Sequence, residues 1–105
     1  MRHIYYSLEA HENLYDIFSY TANKWGIEQA KKYYDKISDI FLTIAKNPEI
    51  GCKNKYLAED YYSFPIDNHL IIYRFSQSDL HILAIMHMPM DIKKRLIKLL
   101  KKIKI

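Results

Sequence analysis

Cysteine, glycine and proline are scarce in this chain, which has one, two and three of them among its 105 residues. Because Cys52 is the only cysteine, no disulfide can form within the chain, and we expect a reducing, cytoplasmic location. Two glycines cannot supply a phosphate-binding loop or a dinucleotide-binding fingerprint. The composition therefore excludes disulfide-rich secreted domains and the common nucleotide-binding folds.

Membrane and metal signals are also missing from the sequence. No apolar run approaches the ~20 residues that a membrane-spanning helix needs. Glu9 and Glu12 interrupt any apolar core of a signal peptide. His81 and His87 are six residues apart, which would place them on one face of a regular strand, but two histidines without a third ligand make a poor metal site. We therefore expect no membrane partner, no metal and no cofactor.

Positive charge is concentrated in the last fifteen residues. Residues 1–90 carry nine Lys or Arg against eleven Asp or Glu, whereas residues 91–105 carry seven against one. Apolar residues at 92, 96, 99 and 103 follow one line of a helix, so we predict a basic amphipathic helix over 91–105. Such a helix either closes the chain's own sheet or meets an acidic partner, and charge alone does not choose among nucleic acid, an anionic lipid surface and an acidic protein segment. The candidate partner-binding residues are Lys93, Lys94, Arg95, Leu96, Lys98, Leu99, Lys101 and Lys102.

Hydrophobic periodicity predicts one domain with the element order β-α-α-β-β-β. Apolar steps of three and four residues indicate two helices, over 8–25 and 27–46, with Ser7 capping the first and Gly26 joining them as an antiparallel hairpin. Short apolar runs indicate strands over 3–7, 61–66, 69–75 and 80–87. The predicted fold class is α+β, with the long hairpin packed on a small, mainly antiparallel sheet.

The strands differ in their expected positions. Residues 69–75 and 80–87 are apolar on both faces, which is typical of central strands covered on both sides. Pro65 places the strand before them at a sheet edge or near its own end.

Ten tyrosines and one tryptophan supply most of the aromatic side chains. We interpret most tyrosines as core or core-edge residues, and Trp25 as an anchor of the hairpin. In Tyr5-Tyr6 and Tyr61-Tyr62 neighbouring rings alternate between faces, so one ring of each pair points outward and is available to an interface.

One set of polar residues offers a possible chemistry. Metal-free RNA cleavage needs a base, an acid and a cation that holds the phosphate. Arg74 is a candidate for the cation, His87 for the acid or base, and Glu59 for a carboxylate. The structural alternative is that Arg74 pairs with a carboxylate across the sheet, His87 caps a strand end and Glu59 is solvated.

An ordered set of residues along most of the chain resembles the ParE branch of the RelE/ParE toxin superfamily, the toxins of type II toxin–antitoxin modules. The set comprises Tyr6-Ser7, Ala10, Ile17, Tyr20, Trp25-Gly26, Gln29-Ala30, Asn47-Pro48, Gly51, Ser63-Phe64-Pro65, the run from His69 to Arg74, His87 and Met90-Asp91. The chain departs from the family pattern in its lysine-rich last segment and in Pro89.

The resemblance implies a binding toxin without catalytic residues. ParE-like toxins bind DNA gyrase and convert it into a source of DNA breaks, and a flexible acidic segment of the antitoxin neutralises them. On this hypothesis nucleic acid is met only through the antitoxin or the target. RelE-like relatives share the fold but cut messenger RNA on the ribosome, so the alternative is an endoribonuclease using Arg74 and His87, with Glu59 as a further candidate.

Overall fold

The computed structural model describes residues 1–53 and 60–87 of the chain. Glu59 and the helix predicted over 91–105 lie outside the described residues. The elements are β1 (His3–Tyr6), α1 (Leu8–Trp25), α2 (Ile27–Lys46), a 3-10 turn (Pro48–Ile50), β2 (Tyr62–Ile66), β3 (His69–Phe75) and β4 (Asp79–His87). The predicted α+β class and element order are confirmed.

A single glycine joins the two helices. At the start of α1, the Ser7 hydroxyl accepts a hydrogen bond of 2.9 Å from the amide of Ala10, as its predicted capping role requires. Gly26 has φ 99° and ψ 161°, a region of backbone space that is essentially open to glycine alone. Its amide bonds to Ala22 and its carbonyl to Ala30, so Gly26 ends α1 and begins α2.

The sheet has the strand order β1-β4-β3-β2. β1 runs parallel to β4, and the other two pairs are antiparallel. The two most apolar strands, β3 and β4, therefore occupy the centre of the sheet, as predicted. Pro65 lies in the edge strand β2, where the amide proton that proline lacks is less needed, because an edge strand forms hydrogen bonds with a neighbour on one side only.

Both faces of the central strands are buried. The helices cover one face, where Ile37, Phe41 and Ile44 pack with Ile71 and Tyr73 in the hydrophobic core. Strand alternation places Leu70, Ile72 and Ala84 on the opposite face, and these residues are buried as well. Each fully buried isoleucine contributes roughly 1.5–3 kcal/mol of transfer free energy, so the central strands and the inner face of α2 together supply much of the stability.

A bulge in β4 changes the direction of its side chains. Ile72 pairs with Ala84 but Tyr73 pairs with Ile82, so Leu83 is an extra residue in β4. Polar side chains at the N-cap and in the first half of α1 form hydrogen bonds with backbone groups of β4 at and beside the bulge. The Ser7 hydroxyl donates to the carbonyl of Leu83 at 2.6 Å, and Asn13 Oδ1 accepts from the amide of Ile85 at 2.9 Å.

The bulge separates the two histidines of β4. His81 pairs with Arg74, whereas His87 pairs with His69. Because these partners are five positions apart on β3, their side chains point to opposite faces of the sheet. The prediction that His81 and His87 share a face is wrong, since it assumed a regular strand.

Candidate functional site

The structure does not bring Arg74 and His87 together. They lie near opposite ends of the β3–β4 pair and on opposite faces of the sheet. Five residues of extended chain span roughly 16 Å, which exceeds the reach of one side chain. Arg74 is exposed and lies opposite His81 instead of a carboxylate, and the His87 ring meets His69 edge-on at 5.2 Å. The shared surface that the ribonuclease alternative requires from this pair is absent from the described part of the chain.

A groove of about 670 Å³ lies between the helical hairpin and one end of the sheet. Its walls come from four elements that are distant in sequence. The lining residues are Asp16, Ile17, Tyr20, Thr21 and Trp25 of α1, Gln29 and Tyr33 of α2, Asp67, Asn68 and His69 at the β2–β3 turn, and His87 at the end of β4. The helical residues recur at steps of three to five, which places them along one side of each helix.

The floor of the groove holds a tyrosine–histidine hydrogen bond. The Tyr33 hydroxyl lies 2.8 Å from Nδ1 of His69 and 3.3 Å from the carbonyl of Ile66. Burial, aided by the charge of Asp67, raises the pKa of Tyr33 to about 12. Burial and the neighbouring His87 lower the pKa of His69, although Asp67 opposes this shift. At neutral pH the floor is therefore uncharged.

Two exposed aromatic rings form the rim of the groove. Tyr20 is 62% exposed and Trp25 is 66% exposed. The ammonium of Lys24 lies 5.5 Å from the centre of each ring and donates a hydrogen bond of 3.1 Å to the Tyr20 hydroxyl. The interpretation of Trp25 as an anchor of the hairpin is not supported, because most of its side chain is exposed.

The groove is apolar with an acidic margin. Asp16 and Asp67 are among its lining residues, and no lysine or arginine is among them in the described residues. Asp67 forms an ion pair of 2.9 Å with Lys36, so only part of its charge is available to a ligand. Across residues 1–53 and 60–87 no three histidines, cysteines or carboxylates are grouped to hold a metal ion. The chemistry of the groove suits apolar and aromatic side chains of another protein.

No helix in the described part of the chain is long and apolar enough to cross a membrane. A two-helix hairpin on a four-stranded mixed sheet, with exposed aromatic rings around a groove, defines a small α+β domain. A family model described as the ParE toxin of type II toxin–antitoxin system, parDE, matches residues 4–92. The chain belongs to this family and is a ParE-type toxin of a toxin–antitoxin system, which confirms the resemblance seen in the sequence.

Individual relatives agree with this assignment. The chain is 28% identical over 90 residues to Toxin ParE1 of Caulobacter vibrioides, covering 86% of this chain and 93% of that protein. It is 25% identical over 88 residues to Toxin ParE1 of Mycobacterium tuberculosis, covering 83% and 90% of the two chains.

Two solved structures share the fold. A chromosomal ParDE toxin–antitoxin system from P. aeruginosa superposes with a TM-score of 0.72 at 15% identity, covering 85% of this chain and 98% of that one. A YoeB dimer from Staphylococcus aureus gives a TM-score of 0.60 at 21% identity, with coverage of 84% and 98%. At these identities the likeness concerns the fold alone.

Proposed function

We propose that this toxin acts in the cytoplasm by binding and poisoning DNA gyrase, and that a cognate antitoxin neutralises it. The observation that carries the proposal is the aromatic groove beside the hairpin, which offers Tyr20 and Trp25 to another protein. Exposed tryptophan and tyrosine supply large contact areas at low entropic cost and dominate many protein interfaces. The separation of Arg74 from His87 further favours binding over RNA cleavage.

The antitoxin engages two chemically different parts of the chain in this proposal. An apolar segment enters the groove, whose rim offers the exposed rings of Tyr20 and Trp25. The flexible acidic segment of the antitoxin meets the basic residues of 91–105, which lie outside the described structure. The sequence supports this role through the local charge of seven Lys or Arg against one Asp. The residues assigned to this contact are Lys93, Lys94, Arg95, Leu96, Lys98, Leu99, Lys101 and Lys102.

Expression of the toxin without antitoxin tests the target. We expect DNA-damage signalling and double-strand breaks while messenger RNA stays intact. With purified gyrase and supercoiled plasmid, the toxin should convert circular DNA into linear DNA, and mixing with antitoxin should prevent this. Cleaved messages with intact DNA would instead establish the ribonuclease alternative and refute gyrase as the target.

A charge-reversal variant tests the acidic segment separately. Lys101→Glu with Lys102→Glu should weaken antitoxin binding at low salt, and the difference from the wild-type chain should shrink as salt increases, because exposed charges are screened. Lys31→Glu with Lys32→Glu places the same charges on the exposed side of α2 and serves as the matched control. Equal loss of binding in both double variants contradicts a specific role for the basic segment.

A further inference from the structure

A row of three side chains crosses the sheet on the face opposite the helices. Tyr5 of β1 pairs with His81 of β4, and His81 pairs with Arg74 of β3. The rings of Tyr5 and His81 are stacked, with centroids 5.3 Å apart and planes inclined by 19°. We call these residues the tyrosine–histidine–arginine row. It is distinct from the groove, which lies on the helical side.

The two outer members of the row are accessible. Tyr5 is 50% exposed and belongs to an edge strand, so the ring face turned away from His81 points past the edge of the sheet. Arg74 is exposed, and within the described part of the chain it takes part in no hydrogen bond or ion pair. Asp79 is the only carboxylate of the three strands, and it lies opposite His3, not within the row.

The chemistry of the row matches one ligand class. An exposed aromatic ring provides a platform on which a nucleic-acid base stacks, and an unpaired guanidinium offers a fork of donors to a phosphate. Neighbouring β-strands are about 4.8 Å apart, so Arg74 stands roughly 10 Å from Tyr5. At this distance Arg74 can lie beside the sugar–phosphate backbone of a nucleic acid whose base covers the Tyr5 ring. Sheet faces that bind single-stranded RNA use aromatic residues in this way.

We propose that the tyrosine–histidine–arginine row binds single-stranded nucleic acid. One base stacks on Tyr5, His81 supports the ring from the other side, and Arg74 contacts a phosphate. A duplex is a poor ligand because its bases are already stacked on each other. The proposal does not depend on gyrase as the target, since it concerns the opposite face of the sheet and requires no enzyme partner.

Fluorescence polarisation with the full-length protein tests the proposal. The probes are labelled twelve-nucleotide oligo-dT and oligo-U, and a duplex of the same length. We expect both single strands to bind more tightly than the duplex. Tyr5→Leu should weaken single-strand binding about fivefold or more, the loss expected for one stacked base. Arg74→Gln should reduce the slope of log K against log salt by about 0.7, the value for one phosphate contact on a single strand.

Matched controls separate the row from general electrostatics. Tyr15→Leu removes a more exposed ring from α1, and Lys31→Gln removes an exposed cation from α2. Both should bind as the wild-type chain does. Circular dichroism reports whether Tyr5→Leu lowers the stability of the protein. Because Arg74 is exposed, Arg74→Gln does not disturb the core, and its effect on the salt slope is informative in either case.

Three outcomes would overturn the proposal. The first is equal affinity for the duplex and the single strands. The second is unchanged binding by Tyr5→Leu and Arg74→Gln, which would assign all affinity to other basic residues. The third is displacement of the oligonucleotide by a poly-glutamate peptide that depends on Arg74 but not on Tyr5, which would make Arg74 a carboxylate-binding residue.

Discussion

The hydroxyl of Tyr33 and Nδ1 of His69 lie 2.8 Å apart, and this contact joins α2 to β3 at the floor of the groove. His87 lies edge-on to the same imidazole at 5.2 Å. A partner that enters the groove therefore meets a hydrogen-bonded pair that also helps to hold the hairpin on the sheet. The stability of the fold and the shape of the binding surface therefore both depend on the hydrogen bond between Tyr33 and His69.

Acidification is expected to weaken the fold through His69. Its pKa is lowered in the folded state, mainly by burial and then by His87, from the ordinary value of 6.5. Below pH 6.5 the unfolded chain therefore binds more protons at this position than the folded chain, and stability falls as the pH decreases. Thermal melts between pH 7.5 and 5 should show a smaller pH-dependent loss in His69→Gln than in the wild-type chain.

The control for this experiment is His3→Gln, which removes an exposed histidine from β1. It should keep the wild-type dependence on pH. A His69→Gln variant whose melting temperature changes with pH as steeply as that of the wild-type chain would contradict the assignment.

Substitution of Gly51 by alanine should destabilise the protein. A Cβ at this position would collide with the Tyr73 hydroxyl and lie 2.8 Å from the carbonyl oxygen of Ser63. The Tyr73 hydroxyl has little freedom to move because it is buried and donates a hydrogen bond of 2.6 Å to Pro48. Overpacking of this kind costs about 1–3 kcal/mol, measured as the free energy of unfolding in urea.

A double variant tests the cause of that loss. Tyr73→Phe removes the oxygen that the new methyl group would meet, so Gly51→Ala should cost less in the Tyr73→Phe background than in the wild-type chain. Strictly additive losses would show that the tyrosine hydroxyl is not the obstacle.

Asn13 is expected to be essential for the bulge in β4. Its Oδ1 is the acceptor for the amide of Ile85, a residue that is 3% exposed. Asn13→Leu leaves this amide buried without a partner, which costs about 1–3 kcal/mol. Urea unfolding measures the loss, and hydrogen exchange at the Ile85 amide should accelerate.

Asn13→Asp is the matched variant, because a carboxylate still accepts the hydrogen bond. It should retain more stability than Asn13→Leu, although Glu9, the present partner of the Asn13 amide group, then faces a second negative charge. Equal stability of Asn13→Leu and the wild-type chain would mean that the amide of Ile85 finds another acceptor.

Trp25→Ala should weaken binding of the cognate antitoxin about 30-fold or more, the loss expected for an aromatic residue at the centre of an interface. Its side chain is exposed in the free toxin, so folding should be little affected and isothermal titration calorimetry reports binding alone. Tyr15→Ala is the control, since Tyr15 is 72% exposed on the same helix but does not line the groove. Wild-type affinity in Trp25→Ala would remove the groove from the antitoxin interface.

The sequence predicts those parts of the fold that depend on local chemistry. Ser7 and Gly26 mark helix ends through properties of the single residue, and the apolar runs of β3 and β4 predict their central position. The parallel pairing of β1 with β4 is a contact between distant segments, and no local pattern specifies it. The candidate site was predicted less well. The groove combines residues from four elements, and the exposure of Trp25 is a tertiary property that no local pattern specifies.

The relative position of Arg74 and His87 could not be predicted from the sequence either. Each lies in a strand that was predicted correctly, yet their mutual position depends on the register of β3 against β4 and on one inserted residue. Hydrophobic alternation cannot reveal that residue, because the run from Ile82 to Ile85 is apolar throughout. The side chains that form hydrogen bonds with the backbone at the bulge, Ser7 and Asn13, lie more than 70 positions earlier in the chain.

The bulge at Leu83 also separates the effect of strand length from the effect of strand geometry. Deletion of this one residue would leave His81 and His87 five positions apart in a regular strand, so they would stay on opposite faces and keep their partners on β3. If Leu83 were instead kept and drawn into a regular ladder, one flank of β4 would slip by one position and its side chains would change faces, with no change in sequence. The display of the two surfaces therefore depends on the bulged geometry that Ser7 and Asn13 hold, and a homologous chain can dispense with the extra residue without losing either surface.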